Sequence, residues 1–334
     1  MTAIARTCKR LLAFLLLALA CVASTAQVQA TPWSYFTPID INEAPKGGKP
    51  IVVMSAQADG LNVPVPAAYF AAVGTPRGAV VVVNAAGGWT DAREGHFGRS
   101  LSSAGYAVLA IDSYGPRGIT STLVDNTRLS IFTQARDAFA ARRLLVSQGH
   151  AADRIAVLGT GRAGTVALLA ADRTFLQDEA ERFNLAMAIS PACILQPVSP
   201  KPAANVYMAL ADKDDLSGLK PCQDLARSFG GAGGNIRVKV YPGASTSFDG
   251  HPAMLRKVQE TFAENFTACE IAVGEDGRAV IGGKSFGEND FRALIAEMRK
   301  VCMGKSATSW TNLTQKANLT LDIIEFLDAS FRRQ

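Results

Sequence analysis

The residues best placed to do chemistry lie in one stretch, 153–171, Asp-Arg-Ile-Ala-Val-Leu-Gly-Thr-Gly-Arg-Ala-Gly-Thr-Val-Ala-Leu-Leu-Ala-Ala. Gly159, Gly161 and Gly164 satisfy G-x-G-x-x-G, in which small residues let backbone N–H groups approach a pyrophosphate. The same stretch fits a nucleophile elbow, G-x-S-x-G, where a hydroxyl or thiol on a sharp turn attacks an acyl carbon. In that frame Gly161 holds the nucleophile position and Ala163 replaces the last glycine. One pattern predicts dinucleotide binding. The other predicts acyl transfer with its attacking atom missing.

Both patterns need the same support: a buried strand, a tight corner and a helix. Ile155-Ala-Val-Leu158 is a continuous apolar run suited to a strand covered on both faces. Thr165 to Ala171 is small and apolar, as a helix packed on a sheet requires. Around this unit strand and helix signals alternate. Strands are expected at 50–57 and 64–73, joined around Asp59-Gly60, then at 78–84, 106–112, 185–192, 204–211 and 236–241. Helices are expected at 91–104, 127–148, 219–229 and 252–267. The alternation predicts an α/β fold with a mainly parallel, doubly wound sheet. Beyond 267, residues 270–273 and 278–281 flank Gly274-Glu-Asp-Gly277 as a hairpin. A helix capped by Asn289 follows, and a last helix through Leu321, Ile324, Phe326 and Leu327 returns to the sheet.

Five segments, in order, resemble the dienelactone hydrolase family of α/β-hydrolases, in its exported bacterial form. They are Val80–Gly88, Ala104–Gly118, residues 154–164, Ala209–Asp215 and Tyr241–Asp249. The resemblance spans about 50–267 and implies an eight-stranded α/β-hydrolase sheet with helices on both faces. It also implies a Ser or Cys nucleophile, a histidine base and an acid, with an oxyanion amide at about Ala85. The nucleophile position falls on Gly161, the histidine position on Thr246 and the acid on Asp214. The histidine usual before the oxyanion loop is Asn84. Glycine cannot attack, and threonine is no base near neutral pH.

The rest of the chain offers little replacement. The three histidines are His96, His150 and His251. Only His251, shortly after Thr246, is near enough in sequence to reach the old pocket; its alternative reading is a surface residue opening a helix. The side chain of Thr160 should point away from the space at 161. The dinucleotide reading also weakens, because its fingerprint belongs to the first βαβ unit with an acid ending the next strand. Here the next strand ends in Ile189-Ser-Pro-Ala-Cys193.

The expectation is therefore an exported dienelactone-hydrolase-like protein without catalysis. Its old pocket would hold a small carboxylate or ester-like ligand at Ala85, Arg162 and His251. Arg162 reads either as a charge for that anion or as a solvated residue at a helix start. The alternatives are an ester or lactone hydrolase with a non-standard nucleophile, and a Rossmann-like protein. No cofactor and no metal are expected.

Composition narrows the partners. Residues 1–30 read as a signal peptide, with Arg6, Lys9 and Arg10 before an apolar run and small residues. Ala18-Leu-Ala-Cys21 also faintly resembles a lipoprotein box. Much of the formal charge of +5 resides in this segment, and no basic, aromatic-rich patch remains for nucleic acid. No membrane span is expected after cleavage, and the destination is the periplasm or the exterior. The domain reading is 31–267 as the hydrolase-like unit and 268–334 as an extension packed on it. Cys193, Cys222, Cys269 and Cys302 remain, an even number that suits an oxidising compartment. Cys193 ends one strand and Cys222 opens the helix after the next, so these two should meet. Cys269 and Cys302 would then fasten the C-terminal hairpin to its helix.

Overall fold

The computed structural model describes residues 43–176 and 178–332. The predicted signal segment and Cys21 lie outside the described residues. The principal sheet has strands β1 (Lys49–Ala56), β2 (Asn62–Phe70), β3 (Ala79–Val83), β4 (Ala107–Ile111), β5 (Ile155–Thr160), β6 (Leu185–Ile189), β8 (Asn205–Ala211) and β9 (Ile236–Tyr241). Their spatial order is β1-β2-β4-β3-β5-β6-β8-β9. β1 and β2 run antiparallel at one edge, and every pairing from β4 to β9 is parallel. This is the α/β-hydrolase arrangement.

Helices cover both faces. α1 (His96–Ser103) and α6 (Leu313–Phe331) lie on one, α2 (Ile131–Ser147) and α3 (Arg162–Leu169) on the other, with α4 (Lys220–Gly231) near the β9 edge. The apolar side chains of the central strands feed two separate cores. Val81, Leu109, Val157 and Ala186 meet α2 and α3, whereas Val80, Val108, Leu158 and Met187 meet α1 and α6. The period-two alternation of strands and the buried stripe of each helix produce this division.

The C-terminal part adds strands that the sequence pattern did not disclose. Residues 252–267, expected as helix, form a turn and then β10 (Val258–Asn265). β10 pairs antiparallel with β14 (Gly304–Ser309). Its buried positions include Glu260 and Glu264, whose carboxylates find partners only in this tertiary setting. The expected hairpin is β11 (Ile271–Val273) with β12 (Ala279–Ile281), extended by β13 (Lys284–Phe286) and by parallel pairing to β7 (Leu195–Pro197). α5 (Phe291–Val301) is entered through Gly287, whose N–H donates to the Asp290 carboxylate at 2.8 Å, so Asn289 is not the cap. In α6 the sheet-facing residues include Leu319, Ile323, Phe326 and Leu327, whereas Leu321 is 65% exposed.

Both expected disulfides are present. Cys193–Cys222 joins the loop after β6 to α4, and Cys269–Cys302 joins the entry to β11 to the end of α5. Among the described residues, no helix is long and apolar enough to cross a membrane.

Candidate functional site

The corner after β5 keeps the backbone of a nucleophile elbow. Gly161 has φ +58° and ψ −119°, and its N–H donates to Ile189 O at 2.7 Å. The three glycines do different jobs. A Cβ at Gly159 would lie 2.3 Å from the backbone of Ala163, and one at Gly164 would lie 3.0 Å from Ile189 O. Those two let α3 cross closely over β5 and β6. A Cβ at Gly161 would meet nothing within 4 Å. The G-x-G-x-x-G spelling is thus explained by a tight strand–helix packing, and the position that should carry the nucleophile faces open space. The motif also follows β5, well beyond the first βαβ unit, contrary to the dinucleotide reading.

Hydrogen bonds link the loops carrying Asp214 and Thr246, the residues expected at the acid and histidine positions, to this corner. Lys213 N–H donates to Ala244 O at 2.9 Å, joining the loop of Asp214 to that of Thr246. Thr160, beside Gly161, donates its hydroxyl to Asp249 Oδ2 at 2.6 Å. Thr246 is buried. Asp214 Oδ1 accepts from the N–H groups of Leu216 and Ser217 at 3.0 and 2.9 Å. Burial, reinforced by nearby Asp215, pushes its carboxyl up to about 6 despite those donors. A carboxyl so placed binds its proton more tightly folded than unfolded. Its stabilising effect is therefore full at low pH and is lost as pH rises from about 4 to about 6. Asp214→Asn keeps the acceptor oxygen and removes the charge. We expect it to match the wild type at pH 4 and to be about 1–2 kcal/mol more stable at pH 8, because the partly exposed carboxylate is screened by solvent. Urea unfolding at the two pH values checks this; equal offsets at both would contradict it.

Of the three expected ligand-binding residues, Ala85 and Arg162 are engaged within the protein. The Ala85 N–H is directed to Glu94 Oε1 at 3.3 Å, so this amide already has an acceptor. Arg162 is buried and donates to Asn126 Oδ1 at 2.7 Å, Gln134 Oε1 at 3.3 Å and Leu129 O. It is neither a solvated helix-start residue nor a charge presented to the corner, because its guanidinium turns into the protein toward Phe291. His251 accepts from Ala253 N–H at 3.0 Å within its own turn.

Behind the corner, on the α1 and α6 side, lies a buried charged group that the sequence did not reveal. Asp249 Oδ2 accepts from Arg93 Nε at 3.1 Å as well as from Thr160, and Asp249 is fully buried. Lys316 Nζ donates to Ala92 O and Gly250 O at 2.6 and 2.8 Å. Burial lowers Lys316 to about 8. Burial, with Lys316 nearby, lowers His96 to about 4, and its Nε2 lies 3.0 Å from Thr320 Oγ1. A neutral His96 held there has no contact with Gly161 or Asp214 that would make it the missing base. His150 pairs with Tyr69 at 3.3 Å. Asn84 accepts from Ser113 N–H at 2.9 Å and fastens β3 to the loop after β4. Polar residues scattered over helices and loops give no periodic sign of burial, so Asp249, Arg93 and Lys316 escape a sequence reading. Among the described residues, no group of three or more His, Cys, Asp or Glu is placed to hold a metal ion.

The dienelactone hydrolase family profile matches residues 65–263. No curated protein matches the chain. Among solved structures, butyrate-bound Thermogutta terrifontis esterase 2 is 14% identical, with TM-score 0.48, covering 62% of this chain and 88% of that one. A Klebsiella pneumoniae protein assigned as a dienelactone hydrolase is 19% identical, with TM-score 0.48, covering 60% and 88% respectively.

Proposed function

Because the chain belongs to the dienelactone hydrolase family, we propose that it is an exported, catalytically silent member that keeps the elbow without its chemistry. The observation that carries this reading is Gly161 in the elbow conformation with open space where a nucleophile side chain would stand. Acyl transfer needs an attacking atom, a base that takes its proton and an acid that orients the base. Of these, only the acid position is filled. Thr160 does not substitute, because its hydroxyl is buried against Asp249. The two disulfides favour an oxidising compartment. The test is turnover on a panel of activated esters and lactones, where no rate above the uncatalysed background is expected.

A second reading rests on the same open space. The first-turn N–H groups of α3 have no carbonyl partner within the helix and carry its positive end, which suits a small carboxylate. Ala85 and Arg162 do not contribute, since Glu94 and Asn126 engage them. A thermal-shift screen of small carboxylates against wild type and Gly161→Leu tests it. Stabilisation is expected in the wild type and should vanish when leucine fills the corner. Equal shifts in both proteins would place binding elsewhere.

A further inference from the structure

A cavity of about 710 Å3 opens on the α2 side of the sheet, a size typical of small-molecule sites. Phe132, Ala135 and Phe139 from one face of α2 form its floor with Leu169, Phe175 and Leu176. Leu169 ends α3, the helix that Gly161 begins. Eight residues of helix span roughly 12 Å, so the cavity and the emptied corner lie at opposite ends of α3.

The facing wall is built by the turn between β11 and β12 and by the entry to α5. At the turn, Gly277 has φ +75°, and a Cβ there would lie 3.5 Å from Thr174 O. Glu288 forms an ion pair with Arg136 of α2. These contacts hold the wall to the core. Its residues lie beyond 263, where the family match ends, so this chain builds the cavity with a part the family profile does not cover.

The lining chemistry restricts the occupant. The floor is aromatic and aliphatic, with the Phe132 and Phe175 rings 6.1 Å apart. Each arginine of the rim already has its partner. Arg136 pairs with Glu288, Arg143 with Glu181 at 2.8 Å, and Arg278 bonds Ser285 Oγ at 2.9 Å. Asp178 and Asp276, also on the rim, accept from the N–H groups of Ala180 and Arg278 at 2.9 and 3.1 Å, so a charged ligand of either sign would compete with an existing partner, whereas an apolar one gains by burial alone. We propose that this cavity binds a neutral, largely apolar small molecule carrying an aromatic ring or an acyl chain.

Titration with N-phenylnaphthylamine, a neutral aromatic whose emission rises in apolar surroundings, tests the proposal on the full mature chain. We expect saturable emission at one probe per chain, with anilinonaphthalene sulfonate, its anionic counterpart, bound at least tenfold more weakly. Ala56 is exposed at the mouth, so Ala56→Trp should obstruct entry without disturbing the core. Leu176→Lys places a charge on the half-buried floor as a second, independent change. Each should weaken binding at least tenfold in protein that keeps its circular dichroism and melting transition, while Gly161→Leu should leave it unaltered. Absence of saturable emission in the wild type, undiminished binding in both folded cavity variants, or loss of binding in Gly161→Leu would overturn the proposal.

Discussion

Gly161→Ser combined with Thr246→His is expected to give measurable ester hydrolysis, with either change alone leaving the protein silent. The corner can accept the new side chain, since nothing lies within 4 Å of a Cβ at 161. The positive φ there is a strain of about 1–3 kcal/mol for a non-glycine residue, and the tight β5–α3 packing at Gly159 and Gly164 enforces it. Serine alone lacks a base, and histidine alone has nothing to activate. With both present, Asp214 gains a cationic partner as the reaction proceeds, and its raised pKa should fall. A positioned base contributes about 10²–10⁴ in rate, so a gain of at least about 100-fold over background is expected in kcat/KM. The double variant should still fall short of an efficient esterase. Glu94 holds the Ala85 amide, and one missing oxyanion donor costs about 10²–10³. Activity in a single variant, or none in a folded double variant, would show that the triad positions have been misassigned.

Glu264→Ala should produce the largest loss of stability among single changes near the corner. The Glu264 carboxylate is buried and accepts from Asn126 N and Nδ2 at 2.8 and 2.9 Å and from Arg299 Nε at 2.7 Å. Asn126 in turn receives Arg162, which opens the elbow helix. Removing the carboxylate takes the acceptor from Arg299 Nε and from both the N–H and the Nδ2 of Asn126, the residue whose Oδ1 receives Arg162. Breaking a buried charge pair from one side costs about 3–5 kcal/mol. We expect a loss of about 3 kcal/mol in urea unfolding, because Arg299 is partly solvated and retains Asp125 at 2.7 Å. Glu264→Gln, which keeps one acceptor for Asn126, should lose less. A loss below about 1 kcal/mol for alanine would show that this chain of contacts does not hold β10 to the elbow.

The sheet and the corner were legible because their signals are local. Val80–Val83, Val108–Ile111 and Ile155–Leu158 are unbroken apolar runs, and the small residues around 159–164 mark the tight corner. The disulfides were legible for a related reason: strand order places the loop after β6 beside the start of α4. β10 was not. Its apolar residues suit a helix as well as a strand, and pairing with β14, forty residues later, decides between them. The fate of Arg162 was equally hidden, because its acceptors come from Asn126, Leu129 and Gln134 in another part of the chain. The same is true of Ala85, whose amide looks available until Glu94 is placed beside it. Sequence thus points to the corner and the loops beside it, while the occupation of the groups around them is a tertiary matter.

The most direct measurement is steady-state hydrolysis of activated esters and lactones by the purified wild type, with Asp214→Asn run in parallel. Wild type and variant should both follow the uncatalysed rate, because neither presents a nucleophile at the corner. Turnover by the wild type that disappears in Asp214→Asn would mean that another residue attacks with the help of the retained acid, and would contradict catalytic silence.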